Sequence, residues 1–553
     1  MKLLPKILGW VVPLMVSEAV ALADQEGPYT YTVAGGCATI TAFDTSYSGA
    51  LVITNVLGGY PVTTIGWMAF MNHTNLTSVV IPDSITDMEM RAFQGCSGLT
   101  NLTLGNGLSK ISSYAFTGCA NLPSVVIADG ITNIEAYAFR DCILLTNITL
   151  GAAVASFDST AFQGDNNLQA FLVSPANTNF TSADGVLFNK SQTILLRVPP
   201  AKSGAYAIPE GVVSVTNSAA QNCASLTSLT VSDSVTNLGA YAFAGCTSLQ
   251  NITLGTQLTS VGNYAFSGCL ALTNLVLRPG VVNLGDGAFK NCAALSSSLI
   301  LPDTVEHVGQ EAFYGCARLT GITWGTGIKS LGKNAFYGCE SLSVVEIPDS
   351  VVYLGEGAFR GCTGIVRAVV GNGVTALEDY TFSGCRALTN VSLGANIRDI
   401  GYAAFAHCYT LARLVLPSRV ATIDQFAFEW NVSLERVYFT GNAPDAAITA
   451  FANADNVTVY YLPDTTGWGE TLAGRPAKLW NPTFNAAFIT GVTNVGLVIV
   501  GTTNIPIALD ASSQLPATRW ETILVTNLTD GRLELSVPVP TNEAMLFYRI
   551  FGP

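Results

Sequence analysis

Apolar and polar positions follow two alternating rhythms along most of this chain. A short run of the form LxxLxL, as in Leu226-Thr-Ser-Leu229-Thr-Val231, alternates inward and outward like a half-buried strand. Turn residues follow it, Ser-Asp-Ser before Val235, then Leu238, then a box reading Tyr241-Ala242-Phe243-Ala-Gly245-Cys246. The box recurs: Phe93, Phe116 and Phe139 are 23 residues apart, as are Phe243, Phe266 and Phe289, and the series runs from Phe313 to Phe451 at the same spacing. A fixed period of this length predicts a solenoid in which each coil buries its apolar side only against its neighbours. The fold expected is mainly β, with about sixteen coils.

The consensus, LxxLxL followed by xxxVxxLGxxAFxGC, is carried by Leu249–Cys269, Leu319–Cys339, Leu342–Cys362 and Leu388–Cys408 among others. It resembles the BspA-type leucine-rich repeat of bacterial secreted and surface proteins. The resemblance spans residues 61–481 and implies adhesion or binding at a cell surface. It carries over no catalytic residue, because the family motif contains none.

The period breaks once. From Phe162 to Ala220, which takes the next Phe position, the step is 58 residues. Within this insertion (163–219), Val186–Phe188 and Thr193–Leu196 read as a hairpin. Residues 24–60 show short strand patterns and predict an N-terminal cap, which a solenoid needs to hide its first coil. Residues 482–553 read as a small β-sandwich-like module. Phe484–Leu509 lacks charge, but Asn485, Asn494, Asn504 and Pro506 interrupt it, so strands are expected rather than a membrane span. Residues 1–23 read as an export signal: Lys2 and Lys6, an apolar stretch Leu8–Val16, then Ala21-Leu22-Ala23. No membrane span is expected after its removal.

Composition fits an array better than a globule. Apolar residues make up 49% and charged residues 11%, which suits repeated interior columns under a Thr, Ser, Asn and Gly exterior. The net charge of −13 disfavours nucleic acid as a partner. Twelve of the thirteen cysteines occupy one slot per coil, among them Cys246 and Cys269. Coils stacked about 4.8 Å apart carry parallel Cβ vectors, which suits disulfides poorly, so buried thiols acting as small apolar filler are expected. With Phe93, Phe116, Phe139, Phe243, Phe266 and Phe289 they form the expected repeat core.

No CxxC, HExxH, GxSxG or P-loop occurs, and the only histidines are His73, His307 and His407. No cofactor or metal site is expected. Asp83, Asp233, Asp303 and Asp349 share a position after the strand, where they are expected to satisfy turn N–H groups. The candidate binding face is the outward strand positions: Thr100, Asn101, Thr103, Asn147, Asn251 and Asn390, joined by Arg367, Arg413, Arg436 and Tyr438 in the later coils. The three arginines and the tyrosine are expected to share one exposed cationic patch. The function expected is non-enzymatic binding of an extracellular protein or glycan by a secreted or surface protein. An envelope scaffold, and an accessory protein or enzyme of polysaccharide breakdown, stay open as alternatives.

Overall fold

A computed structural model describes residues 23–489, 494–512, 521–538 and 547–551. The expected signal segment falls almost wholly outside them. Among the described residues all regular structure is β, with no helix. The chain winds into a solenoid of about 18 turns with coils of roughly 23 residues. Turns beyond the sixteen expected arise where segments without the box still lay down a coil strand. Gly49–Val52, in the cap, pairs in parallel with Leu76–Val80.

The chain divides into two compact units. The first holds the cap and the coils of Phe70 to Phe162. Asp24–Glu26, Tyr29–Ala34 and Cys37–Phe43 form an antiparallel meander, and Cys37–Phe43 then pairs in parallel with Tyr60–Ile65. Longer parallel strands make the main face: Leu76–Val80 pairs Asn101–Thr103, and Ser124–Val126 pairs Asn147–Leu150, which pairs Ala170–Val173. Two-residue strands such as Lys110–Ile111 and Asn133–Ile134 make a second, narrower sheet. In the insertion, Phe180–Ala183 and Val186–Asn189 form an antiparallel hairpin turning at Asp184–Gly185. The strand Phe180–Ala183 was not foreseen from the sequence.

The second unit holds the remaining coils and the C-terminal module. Its main face runs through strands such as Leu226–Thr230, Asn251–Thr253 and Asn274–Val276, and later Arg413–Leu416, Arg436–Phe439, Thr458–Tyr461 and Arg475–Leu479. Among the described residues the module shows two antiparallel three-stranded sheets. One orders Thr483–Ile489, Asn494–Val500 and Arg532–Pro538; the other orders Glu521–Leu528, Ile505–Ser512 and Phe547–Phe551.

Inside each unit the box builds a column. In the first, Phe93, Phe116 and Phe139 stack at 5.3–5.4 Å between ring centroids; in the second, Phe243, Phe266 and Phe289 stack at 5.4–5.5 Å. All six are fully buried. The backbone supports the stack, because each Phe N–H bonds the Ala carbonyl one coil on, as Phe266 to Ala288 at 2.8 Å. The glycine of the box is required where φ is positive: at Gly245 (φ 73°) an added Cβ would lie 2.3 Å from Asn222 Oδ1.

The cysteine slot does more than fill space. All thirteen cysteines are free thiols, and the twelve in the slot are buried. Each thiol from Cys246 to Cys408 donates to the carbonyl of the Phe-position residue one coil back, at 3.0–3.4 Å, as Cys269 Sγ does to Phe243. Two slots without Cys keep a donor, Asn431 and His73, whereas Ala454 offers none and Asp165 instead accepts from Cys142 N at 2.7 Å. Asn431 Nδ2 donates to Phe405 O at 2.9 Å, and His73 Nε2 lies 3.0 Å from Phe43 O. The filler reading is corrected accordingly: the slot is a hydrogen-bond donor position that serves a buried carbonyl. Burial pushes these thiols far up, to about 12 at Cys269 and Cys316.

Candidate functional site

The outward positions of the main strands fall into two columns in each unit. In the second unit, Ser228, Asn251 and Asn274 stand in register, and two residues along each strand so do Thr230, Thr253 and Val276. Side chains at one register position therefore point to one face, a coil spacing apart. Further on, Val344, Arg367 and Asn390 form the first column, and Glu346, Val369 and Ser392 the second. In the first unit, Ser78 pairs Asn101 and Ser124 pairs Asn147.

Not every residue on this face is free to meet a ligand. Thr100 Oγ1 donates to Thr77 O at 2.9 Å, and Thr389 Oγ1 to Val366 O at 3.2 Å, so these hydroxyls join coils. Asn101 Nδ2 reaches Ser78 Oγ at 3.4 Å, and Asn147 Nδ2 reaches Thr146 Oγ1 at 3.0 Å. Thr103, Asn251 and Asn390 are exposed, and among the described residues no hydrogen bond holds their side chains. They are the uncommitted part of the Thr-Asn face.

The expected cationic patch is not assembled. Arg413 and Arg436 are register neighbours, but Arg367 stands beyond the intervening strand of Asn390 and pairs with Glu346. Arg436 Nη2 lies 3.5 Å from Glu435. Tyr438 is only 7% exposed. It stacks on Tyr460 at 5.2 Å, and Trp480 meets it edge-on at 6.0 Å. Its place on an exposed face is therefore corrected, because the C-terminal module covers it.

The turn Asp residues cap the next coil. Asp83 Oδ1 accepts from Asn106 N at 2.7 Å, and Asp233 and Asp303 accept from Thr256 N and Thr326 N at 2.8 Å. Among the described residues no group of three His, Cys, Asp or Glu side chains is placed to hold a metal. His307 Nδ1 lies 2.8 Å from Ser330 Oγ, a pairing that a nucleophile and base would show. However, Glu306 is 3.8 Å from the other ring nitrogen and is held by Lys329 at 2.8 Å. All of these side chains stand 40% or more exposed, except Ser330, which is intermediate, so the pair works in water rather than in a desolvated site.

A second surface was missed from the sequence. On the turn side of the second unit, Lys290 lies over Tyr314 at 4.8 Å, and Tyr314 stacks on Tyr337 at 4.6 Å. Arg360 lies 6.0 Å from the Tyr337 ring and 4.3 Å from that of Tyr380. Tyr402 then contacts Tyr380 and Phe426 edge-on at 5.2 and 5.6 Å. The signal was a tyrosine flanking the Phe of the box, directly after it at Tyr314 and Tyr337, and two places before it at Tyr241, Tyr264 and Tyr380. At the latter position the backbone has positive φ, 57° at Tyr241 and 58° at Tyr380.

Among curated proteins none matches the chain. Solved structures do. A leucine rich cell surface protein from Faecalibacterium prausnitzii is 26% identical, over 54% of this chain and 94% of that one, with a TM-score of 0.41. A leucine-rich repeat protein from Bacteroides ovatus is 21% identical over 83% and 100%, at 0.40. The pneumococcal vaccine antigen PcpA is 17% identical over 80% and 94%, at 0.37. The profile of the BspA type leucine rich repeat region matches residues 62–194, 213–343, 296–375 and 365–468. With the box, the period and the stacked columns in agreement over well more than half its length, the chain belongs to the BspA type leucine rich repeat family.

Proposed function

We propose that this chain is a non-enzymatic binding protein, secreted or displayed on a bacterial surface, which holds an extracellular protein or glycan on its outward strand columns. Family membership supports the reading, as does the export-like segment at the N-terminus. Among the described residues no helix is long and apolar enough to cross a membrane. The observation that carries the proposal is the register of Asn251 with Asn274, and of Thr253 with Val276: amide, hydroxyl and methyl groups repeat on one face at the coil spacing. A repeating polymer or an extended protein surface could meet several at once.

A second reading places the contact on the turn-side ladder of Tyr314, Tyr337, Arg360 and Tyr380. It is favoured by residue type, since Tyr and Arg anchor interfaces more often than Thr and Asn do. One experiment separates the two. The full chain is screened against arrays of glycans and extracellular-matrix proteins, then rescreened with Asn251, Asn274 and Asn390 changed to Arg, and separately with Tyr337→Ser and Arg360→Ser. Loss of saturable binding only in the first set supports the strand face. Loss only in the second moves the site to the ladder. Release of reducing sugar by the pure chain would overturn the non-enzymatic reading.

A further inference from the structure

Near its end the outward strand column holds two residues unlike the rest, before the last strand continues it with exposed Lys478. Upstream it reads Thr253, Val276, Ile300, Thr323, Glu346, Val369, Ser392 and Val415, all exposed except half-buried Val369. Val276, Ile300 and Val415 stand 49%, 61% and 50% exposed. The next two, Tyr438 and Tyr460, are in register with Val415 yet fall to 7% and 6%. Backbone position has not changed, so cover from outside the coils must account for the difference.

That cover comes from the module. Tyr438 and Tyr460 form one contiguous cluster with Leu497, Ile499, Ile505, Ile507, Leu509 and Leu528, all from residues 494–528. Partly buried Leu533, Leu535 and Ile550 pack around it. The junction is pinned on both sides. Trp480 N donates to Tyr461 O at 2.8 Å, while its indole Nε1 donates to Pro506 O at 2.9 Å. Asn481 Oδ1 accepts from both the N and the Oγ1 of Thr502 at 2.7 Å. A unit of about 70 residues sits near the lower size limit for an independent core. Here two of its most buried ring systems belong to the solenoid.

We infer that the C-terminal module closes over the end of the array: it seats on the outward faces of the strands Arg436–Phe439 and Thr458–Tyr461 and takes Tyr438 and Tyr460 into its own core. The module therefore does not fold independently of those strands. It also interrupts the strand face, since the run of outward positions open to a partner stops at Val415 and only Lys478 is exposed beyond the two tyrosines. This inference stands apart from the identity of any ligand and does not depend on the strand face being the binding surface. The seat is apolar. Among the described residues the Tyr438 hydroxyl has no hydrogen-bond partner, so the ring and not the oxygen does the holding.

Hydrogen exchange by mass spectrometry on the full chain tests this. Three proteins are compared: wild type, Tyr438→Ser with Tyr460→Ser, and Tyr438→Phe with Tyr460→Phe. In the Ser pair, peptides covering Ile505–Ser512 and Glu521–Leu528 should exchange at least about tenfold faster, with peptides over Phe243–Phe289 unchanged. The Phe pair should exchange like wild type, because both rings remain. Unchanged module protection in the Ser pair would overturn the inference and make the module autonomous. Equal loss in the interior coils would overturn it too, by making the tyrosines core of the array instead. Faster module exchange in the Phe pair would show that hydroxyls and not packing hold the seat.

Discussion

Two columns of the same coils obey opposite rules. The box column is uniform in sequence and in surroundings: Phe243, Phe266 and Phe289 are all fully buried, and the neighbouring slot keeps a donor even when Cys gives way to Asn431. The outward strand column varies freely through Thr253, Ile300, Glu346 and Ser392, until two consecutive aromatics, Tyr438 and Tyr460, mark a change of environment. A repeat position thus fixes where the backbone goes. What lies over that position decides which side chains it tolerates, and a break in an otherwise permissive column points to a contact.

The largest expected effect breaks the box column by pH. Burial holds its twelve thiols far above the ordinary value, to about 12 at Cys269. A raised pKa means that the folded state keeps protons which the unfolded chain sheds. This stability is complete below the unfolded thiol value near 9 and is lost as pH rises above it. Each thiol then costs about 1.4 kcal/mol per pH unit, so with twelve in the slot stability should fall steeply as pH rises above about 9. Circular dichroism against pH checks this, and stepwise Cys→Ala replacement should flatten the pH dependence. A smaller break is Phe266→Ala, which should cost about 3–5 kcal/mol in denaturant melts. Asn431→Ala should cost about 1–3 kcal/mol in the same assay, because it strands the Phe405 carbonyl. The outward column should barely respond: Ile300→Ser, 61% exposed, should change stability by less than about 0.5 kcal/mol.

Much of the fold could be read from period alone, since a 23-residue repeat with one Phe and one Cys per coil permits few other arrangements. The role of the cysteine slot could not, because periodicity reports size and burial but not a donated hydrogen bond. His73 and Asn431 carry the signal, since each keeps a donor at a slot that has lost its thiol. Tyr438 was misplaced for a different reason: its cover comes from Leu497, Ile505 and other residues far along the chain, and no local pattern encodes that contact. Arg367 was grouped with Arg413 by face alone, while its ion pair with Glu346 and the intervening strand of Asn390 depend on register.

The most direct test of the contrast between open and covered positions is hydroxyl-radical footprinting of the unmodified full chain, read at individual tyrosines. Tyr241 and Tyr353, which stand 42% and 50% exposed, should be oxidised rapidly. Tyr438 and Tyr460 should be protected throughout the early time course. Oxidation of Tyr438 and Tyr460 as fast as that of Tyr353 would show these two strands open to water, and would contradict the covered stretch of the strand face.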